Sequence, residues 1–247
     1  MQAWVVGGTS GIGAAIVRQL QERKISVLTM SNDSVSGRRL SATGVVFEQL
    51  DLADRPGTVG RRTKTLLSQH GLPTYLFVSA GLTRQQSVVD TAPEDWELLA
   101  RVNLLGIVEL CNAVVRTWQT DSPRAWKRHI VILGSVNAER PLPSQGAYSV
   151  MKAGLQAYAK CLSNDVAPMQ IRVTVVAPGA ILTPMQGPIL EDDIDGQKRQ
   201  QIAQSALVAR WGEAEEVARV AMWIALDSPA FFTGAEVVVD GGYMVKR

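Results

Sequence analysis

The chain has 247 residues, of which 46% are hydrophobic, with a formal net charge of +2 and a pI near 8.6. Such a length can bury one substantial core, while the mild charge argues against a nucleic-acid partner and no continuous apolar run reaches the ~18 residues of a membrane span. Because the first predicted strand begins at residue 3 and the two cysteines lack paired spacing, we expect a cytoplasmic protein with neither a signal peptide nor a metal site.

A glycine-rich turn follows the first strand. Residues 3–6 are apolar, Gly7, Gly11 and Gly13 come next with G-xxx-G-x-G spacing, and a helical pattern covers residues 12–22. Glycines let a ligand approach the backbone closely, and the N–H groups at a helix N-terminus favour an anion. The alternative is an ordinary glycine-rich turn. The segment predicts a pyrophosphate site formed by Gly7, Thr9, Ser10, Gly11, Ile12 and Gly13.

Strands and helices alternate along the rest of the chain. The strands are short and rich in Val, Ile and Leu, as is typical of parallel strands that are covered on both faces. This order predicts a single α/β domain over residues 1–247, with a Rossmann-type doubly wound parallel sheet of about seven strands in a three-layer α/β/α arrangement. The predicted strands are residues 3–6, 25–30, 45–47, 75–78, 129–133, 172–176 and 236–239, and the predicted helices are residues 12–22, 56–69, 93–118, 148–166 and 213–226.

Several candidate site residues come directly after predicted strands. They are the glycine turn, residues 79–81, Ser135 and residues 178–179. The carboxyl ends of parallel strands meet at one edge of the sheet, where doubly wound proteins bind their ligands. We therefore expect these segments to converge on one crevice.

Tyr148 and Lys152 lie one turn apart on the predicted helix 148–166, and Ser135 follows the strand at residues 129–133. Positions i and i+4 share a helix face, so the phenol and the ammonium can address one pocket. A nearby cation lowers a tyrosine pKa from its ordinary ~10, which predicts a proton donor and acceptor close to neutral pH. A Tyr–Lys pair alone is also common on solvated helices, so this interpretation depends on the glycine turn as well.

Together these residues resemble the short-chain dehydrogenase/reductase family, in its compact single-domain branch, over the whole chain. Its glycine motif matches the turn, and its catalytic residues match Ser135, Tyr148 and Lys152. Val6 and the pair Val78 and Ser79 depart from the family pattern, which bears on cofactor affinity and not on the chemistry. The resemblance further places Asp51 and Leu52 at the adenine, Ser79, Ala80 and Gly81 at the cofactor floor, Asn103 as a fourth catalytic residue, and Pro178, Gly179, Ile181 and Thr183 near the nicotinamide carboxamide.

The resemblance implies an oxidoreductase that transfers hydride between a nicotinamide cofactor and a ketone or secondary alcohol. Tyr148 would be the general acid/base, Lys152 would lower its pKa and hold the nicotinamide ribose, and Ser135 would orient the carbonyl. Asn103 would hold a water in a proton relay; an asparagine at a helix kink is the alternative. The likeness is greatest to 3-oxoacyl-(acyl-carrier-protein) reductases and related ketone reductases, so the expected substrate is a small carbonyl or hydroxy compound or a carrier-bound acyl thioester.

The end of the second strand bears on the choice of cofactor. NAD enzymes commonly place an acidic residue there, on the ribose 2′-hydroxyl, whereas this chain has Ser31 and Asn32. Without a carboxylate to repel a 2′-phosphate, and with Arg38 and Arg39 close behind, we expect NADP(H) in preference to NAD(H). Asp33 argues for NAD if its side chain points inward, and the arginines can equally belong to a solvated helix.

In the family, the segment after Gly179, here residues 182–206, closes over the substrate. Met185, Pro188, Ile189 and Leu190 predict an apolar lid, and residues 191–193 are expected to be solvated. Three further residues are expected at the substrate from their positions near Ser135 and Tyr148. They are Asn137, Arg140 and Gln145, although for Arg140 a surface position is the favoured interpretation.

Two helical segments have little polar surface. Residues 104–115 are nearly apolar all round, and residues 153–162 are rich in Ala, Gly and Leu, which favours a subunit contact over burial within the chain. The resemblance implies a homodimer or homotetramer. Two other functions stay open: an NAD-dependent hydroxy-compound dehydrogenase that works oxidatively, and a nucleotide-sensing regulator. Such regulators usually lose the Tyr or the Lys, and both are present here.

Overall fold

The computed structural model describes residues 1–121, 125–191 and 193–246; Asp192 and the side chains of Pro188 and Ile189, all in the predicted lid, lie outside the described residues. The strands of the described part are β1 Gln2–Val6, β2 Ser26–Ser31, β3 Val46–Gln49, β4 Tyr75–Val78, β5 Arg128–Leu133, β6 Ile171–Pro178, β7 Ile181–Leu182, β8 Gly212–Glu213 and β9 Glu236–Val239. Seven of these form a parallel sheet in the order β3-β2-β1-β4-β5-β6-β9, and β7 pairs with β8 alone. The predicted doubly wound sheet is confirmed.

Helices lie on both faces of the sheet. In the described residues they are α1 Gly11–Glu22, α2 Ser34–Ser41, α3 Thr58–His70, α4 Pro93–Ala100, α5 Gly106–Trp118, α6 Gly146–Val166, α7 Gly187–Leu190, α8 Gln197–Gln204 and α9 Ala214–Met222. A π-helical turn, Arg101–Leu105, joins α4 to α5, so the predicted helix at residues 93–118 is continuous but not uniform. The sequence prediction did not include α2, which is a short helix of eight mostly polar residues. Asp33 caps this helix by accepting hydrogen bonds from the N–H groups of Val35 and Ser36.

The core has two layers, one on each face of the sheet. Alternation along β1 sends Ala3 and Val5 to one face and Trp4 and Val6 to the other. The first face packs against α1 and α9, and the second against α3, α5 and α6. This arrangement confirms the three-layer α/β/α architecture.

The helical segment Pro93–Trp118 bears on the expectation that no continuous apolar run is long enough for a membrane span. Among the described residues it is the one helix that is long and apolar enough, on average, to cross a membrane. More than half of it is buried inside the fold, and it carries a buried Arg101 whose guanidinium lies 3.0 Å from the Glu109 carboxylate. Core helices pass the same test of length and composition, so the segment is a weak indication of a membrane span.

Candidate active site

A cavity of about 900 Å³ lies at the carboxyl ends of the strands and extends to the lid. The segments that follow β1, β2, β4, β5 and β6 all contribute to its wall, as the strand order predicts. Of the residues predicted to be catalytic, to belong to a cofactor-binding motif or to contact the substrate, three do not line it: Gly13, Asn103 and Arg140. The others do, namely Gly7, Thr9, Ser10, Gly11, Ile12, Ser31, Asn32, Asp51, Leu52, Ser79, Ala80, Gly81, Ser135, Asn137, Gln145, Tyr148, Lys152, Pro178, Gly179, Ile181 and Thr183.

The glycine turn has no room for side chains. A Cβ atom on Gly7, whose φ is +81°, would lie 2.6 Å from the backbone nitrogen of Ala80, and one on Gly13 would lie 2.1 Å from the carbonyl oxygen of Gly7. Ser10 is the N-cap residue of α1, but its side chain makes no capping hydrogen bond in the described structure. The N–H groups of the first turn are thus available to an anion, and the turn fits the pyrophosphate of a dinucleotide.

Hydroxyl groups surround the end of β2. The Thr9 hydroxyl donates to Ser31 Oγ at 2.9 Å, and Ser31 Oγ also accepts from the Asp33 N–H at 3.1 Å. The Asp33 carboxylate caps α2, and its hydrogen bonds to Ser36 and Val35 lower its pKa. Arg38 and Arg39 are exposed on α2, and neither lines the cavity. The structure therefore does not bring these two arginines to the place where a 2′-phosphate would lie.

The predicted adenine segment is held by short contacts. Asp51 Oδ1 accepts from the Ala53 N–H at 2.9 Å, and Leu52 is buried. A Cβ atom on Gly106 would lie 2.6 Å from the carbonyl oxygen of Leu52, so α5 approaches this segment backbone to backbone. Both residues expected at the adenine are thus fixed at the cavity wall.

Ser135, Tyr148 and Lys152 form a polar group in the wall, and all three are buried. Burial raises the pKa of Tyr148 to about 12, and its hydrogen bond with the Ser135 side chain opposes that rise. The Lys152 Nζ donates to the Leu133 carbonyl at 2.8 Å and lies 5.7 Å from the centroid of the Tyr148 ring. Burial lowers the pKa of Lys152 to about 8.

These values correct the expectation that Lys152 lowers the Tyr148 pKa. The ammonium faces the ring and a backbone carbonyl, and the loss of hydration at the phenol raises its pKa instead of lowering it. The phenol of Tyr148 is consequently protonated at neutral pH. In this form the phenol can donate a proton, although the raised pKa also makes it a weaker acid than a free tyrosine.

Asn103 lies behind the wall, in the π-helical turn. Its Nδ2 donates to the carbonyls of Leu82 at 2.9 Å and Leu99 at 3.1 Å, and its Oδ1 accepts from the Leu82 N–H at 3.0 Å. Both N–H donors of the amide are therefore taken by backbone. The side chain braces the loop after β4, which is the placement that the helix-kink alternative describes.

The substrate end of the cavity combines amides with apolar side chains. Asn137 Nδ2 donates to Gln145 Oε1 at 2.6 Å, and the Asn137 N–H donates to Ser135 Oγ at 3.1 Å. Arg140 was expected here, but the structure places it on the surface, where its guanidinium donates to the Tyr243 carbonyl at 2.7 Å and stacks 4.5 Å from the ring centroid of Tyr243. That contact is with a cavity-wall residue near the end of the chain, and Arg140 itself does not line the cavity.

The lid supplies residues that sequence reasoning missed. Of the apolar residues predicted for the lid, Met185 lines the cavity and Leu190 does not. The Asp193 carboxylate accepts hydrogen bonds from the N–H groups of Lys198 and Arg199 at the start of α8. The additional wall residues lie partly in the lid and partly in other loops, and no local motif marks them. They include Leu142, Lys198, Gln201, Ile202, Trp211 and Tyr243.

Comparisons with known proteins agree with this geometry. A family model described as enoyl-(acyl carrier protein) reductase matches residues 6–244. Carbonyl reductase family member 4 of Xenopus tropicalis is 31% identical over 245 residues, which cover 98% of this chain and 97% of that protein. The 3-oxoacyl-(acyl-carrier-protein) reductase FabG of Escherichia coli K12 is 31% identical over 250 residues, with 98% and 97% covered. The ligand-free structure of Thermoplasma acidophilum aldohexose dehydrogenase shares the fold, with a TM-score of 0.88 at 21% identity over 100% of this chain and 94% of that one.

Proposed function

Because the chain belongs to the short-chain dehydrogenase/reductase family and is an oxidoreductase, we propose that it reduces 3-oxoacyl thioesters and related ketones with NADPH. The observation that carries the proposal is the Ser135–Tyr148–Lys152 group in the wall of the large cavity. Tyr148 is buried and protonated, next to a serine hydroxyl that can share a carbonyl oxygen with it. The alternative is an NAD-dependent dehydrogenase that oxidises a hydroxy compound.

The protonated phenol of Tyr148 is the form that reduction uses. When bound, the nicotinamide cofactor supplies the hydride that the carbonyl carbon accepts. Tyr148 donates its proton to the carbonyl oxygen, so that one hydride and one proton together give the alcohol. Ser135 orients the oxygen and stabilises its developing charge. Oxidation would use the same residue in its phenolate form.

Lys152 has two roles in this proposal. Its pKa of about 8 lets it exchange a proton near neutral pH, so it can help to return a proton to Tyr148 after each turnover. Its ammonium also lies at the cofactor side of the tyrosine, where it can bind a ribose hydroxyl. In this proposal Asn103 supports the catalytic residues by holding the loop after β4 in place.

The preference for NADPH is supported by what surrounds Ser31. Neither Ser31 nor Asn32 carries a charge, and the Asp33 carboxylate is engaged by the N–H groups of α2. The preference does not depend on Arg38 or Arg39, which lie outside the cavity wall. Asp33 does line the cavity, and that one observation favours the NAD alternative.

The substrate class is supported by the other end of the cavity. Leu142, Met185 and Ile202 offer apolar surface to an acyl chain, and Lys198 adds an exposed cation for an anionic carrier. Among the described residues of the wall, the acidic ones are Asp33 and Asp51, both at the cofactor end. Acetoacetyl-CoA reductase of Shinella zoogloeoides, 29% identical over 242 residues, acts by its name on such a thioester.

Steady-state assays with acetoacetyl-CoA test the proposal, with oxidation of NADPH or NADH followed by nicotinamide absorbance. We expect turnover with NADPH, and we expect Tyr148→Phe to lower kcat by about a thousandfold or more while the Kd for NADPH changes less than about twofold. Normal turnover by Tyr148→Phe would show that another group is the acid. Preference for NADH would support the alternative, and absence of turnover with either cofactor would reject the thioester class.

Assembly as a homodimer or homotetramer stays a prediction. Burial within the chain accounts for most of the apolar character of α5, including Ile107, Leu110 and Val114. The apolar side chains left exposed on this side include Leu105 and Val150, a narrower surface than the sequence indicated.

A further inference from the structure

A third residue follows Tyr148 and Lys152 on the same face of α6. Gln156 lies one turn beyond Lys152, so the three side chains form a stripe that points towards the end of β5. Lys152 donates to the carbonyl of Leu133, and Gln156 Nε2 donates to the carbonyl of Ser135 at 3.3 Å. The helix that carries the proton donor thus also holds the backbone of the serine.

The orientation of the Gln156 amide is set by a second acceptor. Its Nε2 also donates to Oε1 of Glu236, the first residue of β9, and the Gln156 side chain is buried. Both neighbours, a carbonyl and a carboxylate, can only accept hydrogen bonds from it. The reversed amide would place its own oxygen against two acceptors, so the observed orientation is the one that the contacts allow.

We propose that Gln156 is a positioning residue for Ser135, and that Glu236 holds Gln156 in its working orientation. Ser135 is extended, and its Oγ accepts from the Asn137 N–H while facing Tyr148. Rotation of the backbone at Ser135 would therefore move the hydroxyl that orients the substrate carbonyl. Small displacements of such a group lower the rate strongly. The inference rests on the proposed role of Ser135.

If the hydrogen bond between Gln156 and Glu236 only joins α6 to β9, a different experimental result is expected. Such a link would affect stability, and its loss would lower activity by the same factor whether or not Ser135 has its hydroxyl. A positioning role acts through that hydroxyl. If Gln156 acts in this way, removing its hydrogen bonds should have little further effect on activity once the Ser135 hydroxyl has been removed.

The test uses Gln156→Met, which keeps the size of the side chain and removes both donors. With acetoacetyl-CoA and NADPH we expect kcat to fall about tenfold while the Kd for NADPH stays within about twofold. In a Ser135→Ala background the same change should cost less than about twofold. The matched control is Gln21→Met, which removes a hydrogen bond of 2.9 Å from Gln21 to the Thr43 carbonyl, away from the cavity, and should leave kcat unchanged.

Substitution of Glu236 provides a second test of the proposal that leaves the buried Gln156 side chain unchanged. Glu236→Ala should lower kcat about threefold by freeing the amide, whereas Glu236→Gln should keep near-normal activity because its Oε1 still accepts. An equal loss for Gln156→Met in both backgrounds, or equal activity of the two Glu236 variants, would overturn the inference alone. Normal activity of Ser135→Ala itself would instead reject the proposed function of the serine.

Discussion

The two ends of the cavity are built in different ways. At the cofactor end, the backbones of Gly7, Gly13 and Ala80 touch so closely that an added methyl group would overlap a neighbour. At the lid, a Cβ atom on Gly187 would meet only Glu191 Oε1, at 3.7 Å, and one on Gly196 would meet nothing within 4 Å. The first end is determined by backbone geometry at the strand ends, and the second by side chains that can be exchanged without disturbing the fold.

The difference follows from what each end must bind. A pyrophosphate is bound by N–H groups, which every residue except proline carries, so its site depends on where the backbone can run. A substrate is distinguished by side chains on a lid, and in α8, all of whose residues are described, none is buried. The cofactor end therefore binds a group that is the same for every substrate, and the lid end determines which substrate is bound.

The strongest test of this comparison is the same substitution at each end. Gly13→Ala places a Cβ atom 2.1 Å from the Gly7 carbonyl oxygen, which forces the turn to shift at a cost of about 3 kcal/mol and should weaken NADPH binding about 100-fold. Gly187→Ala in the lid has room for the methyl group and should change the Kd for NADPH less than about twofold. Isothermal titration of both variants measures the two constants. Equal effects would show that the lid is as constrained as the turn.

The same contrast explains how much the sequence could predict. The strands, the glycine turn and the pair Tyr148 and Lys152 are local patterns, and the structure has them where those patterns place them. Arg140 was misplaced because its direction depends on Tyr243, 103 residues away. The pKa of Tyr148 was misjudged because spacing on a helix does not reveal how deeply a phenol is buried.

Lys152 lies where the two ends meet, and its burial should cost stability. Its pKa is lowered from 10.5 to about 8, so the folded state binds this proton less tightly than the unfolded state does. Below pH 8 the lysine is charged in both states, and the cost is fully present at about 3 kcal/mol; it declines as the pH rises and is gone above pH 10.5. Lys152→Met should therefore stabilise the cofactor-free protein at pH 7 by about 2 kcal/mol, after the lost hydrogen bond to Leu133 is counted.

Urea unfolding of the wild type and Lys152→Met across this pH range measures the effect. The gain should shrink between pH 8 and pH 10.5 and then vanish or reverse. Lys198→Met is the matched control in the exposed lid helix, and it should show no gain that depends on pH in this way. A gain that stays constant with pH would mean that packing, and not the buried charge, is responsible.

The smallest expected effect concerns the choice of cofactor at Asp33. Asp33→Asn keeps an oxygen that can accept from the N–H groups of Val35 and Ser36, so α2 stays capped, but it removes a negative charge from the cavity wall. Because this charge is exposed, the ratio of kcat/KM for NADPH over NADH should rise only about threefold to fivefold at low salt. The rise should diminish in high salt, since added ions screen the repulsion between a carboxylate and a 2′-phosphate. A rise that persists in high salt would point to a contact rather than a charge. An unchanged ratio would mean that the Asp33 charge does not set the preference, and a fall would mean that the carboxylate supports NADPH binding.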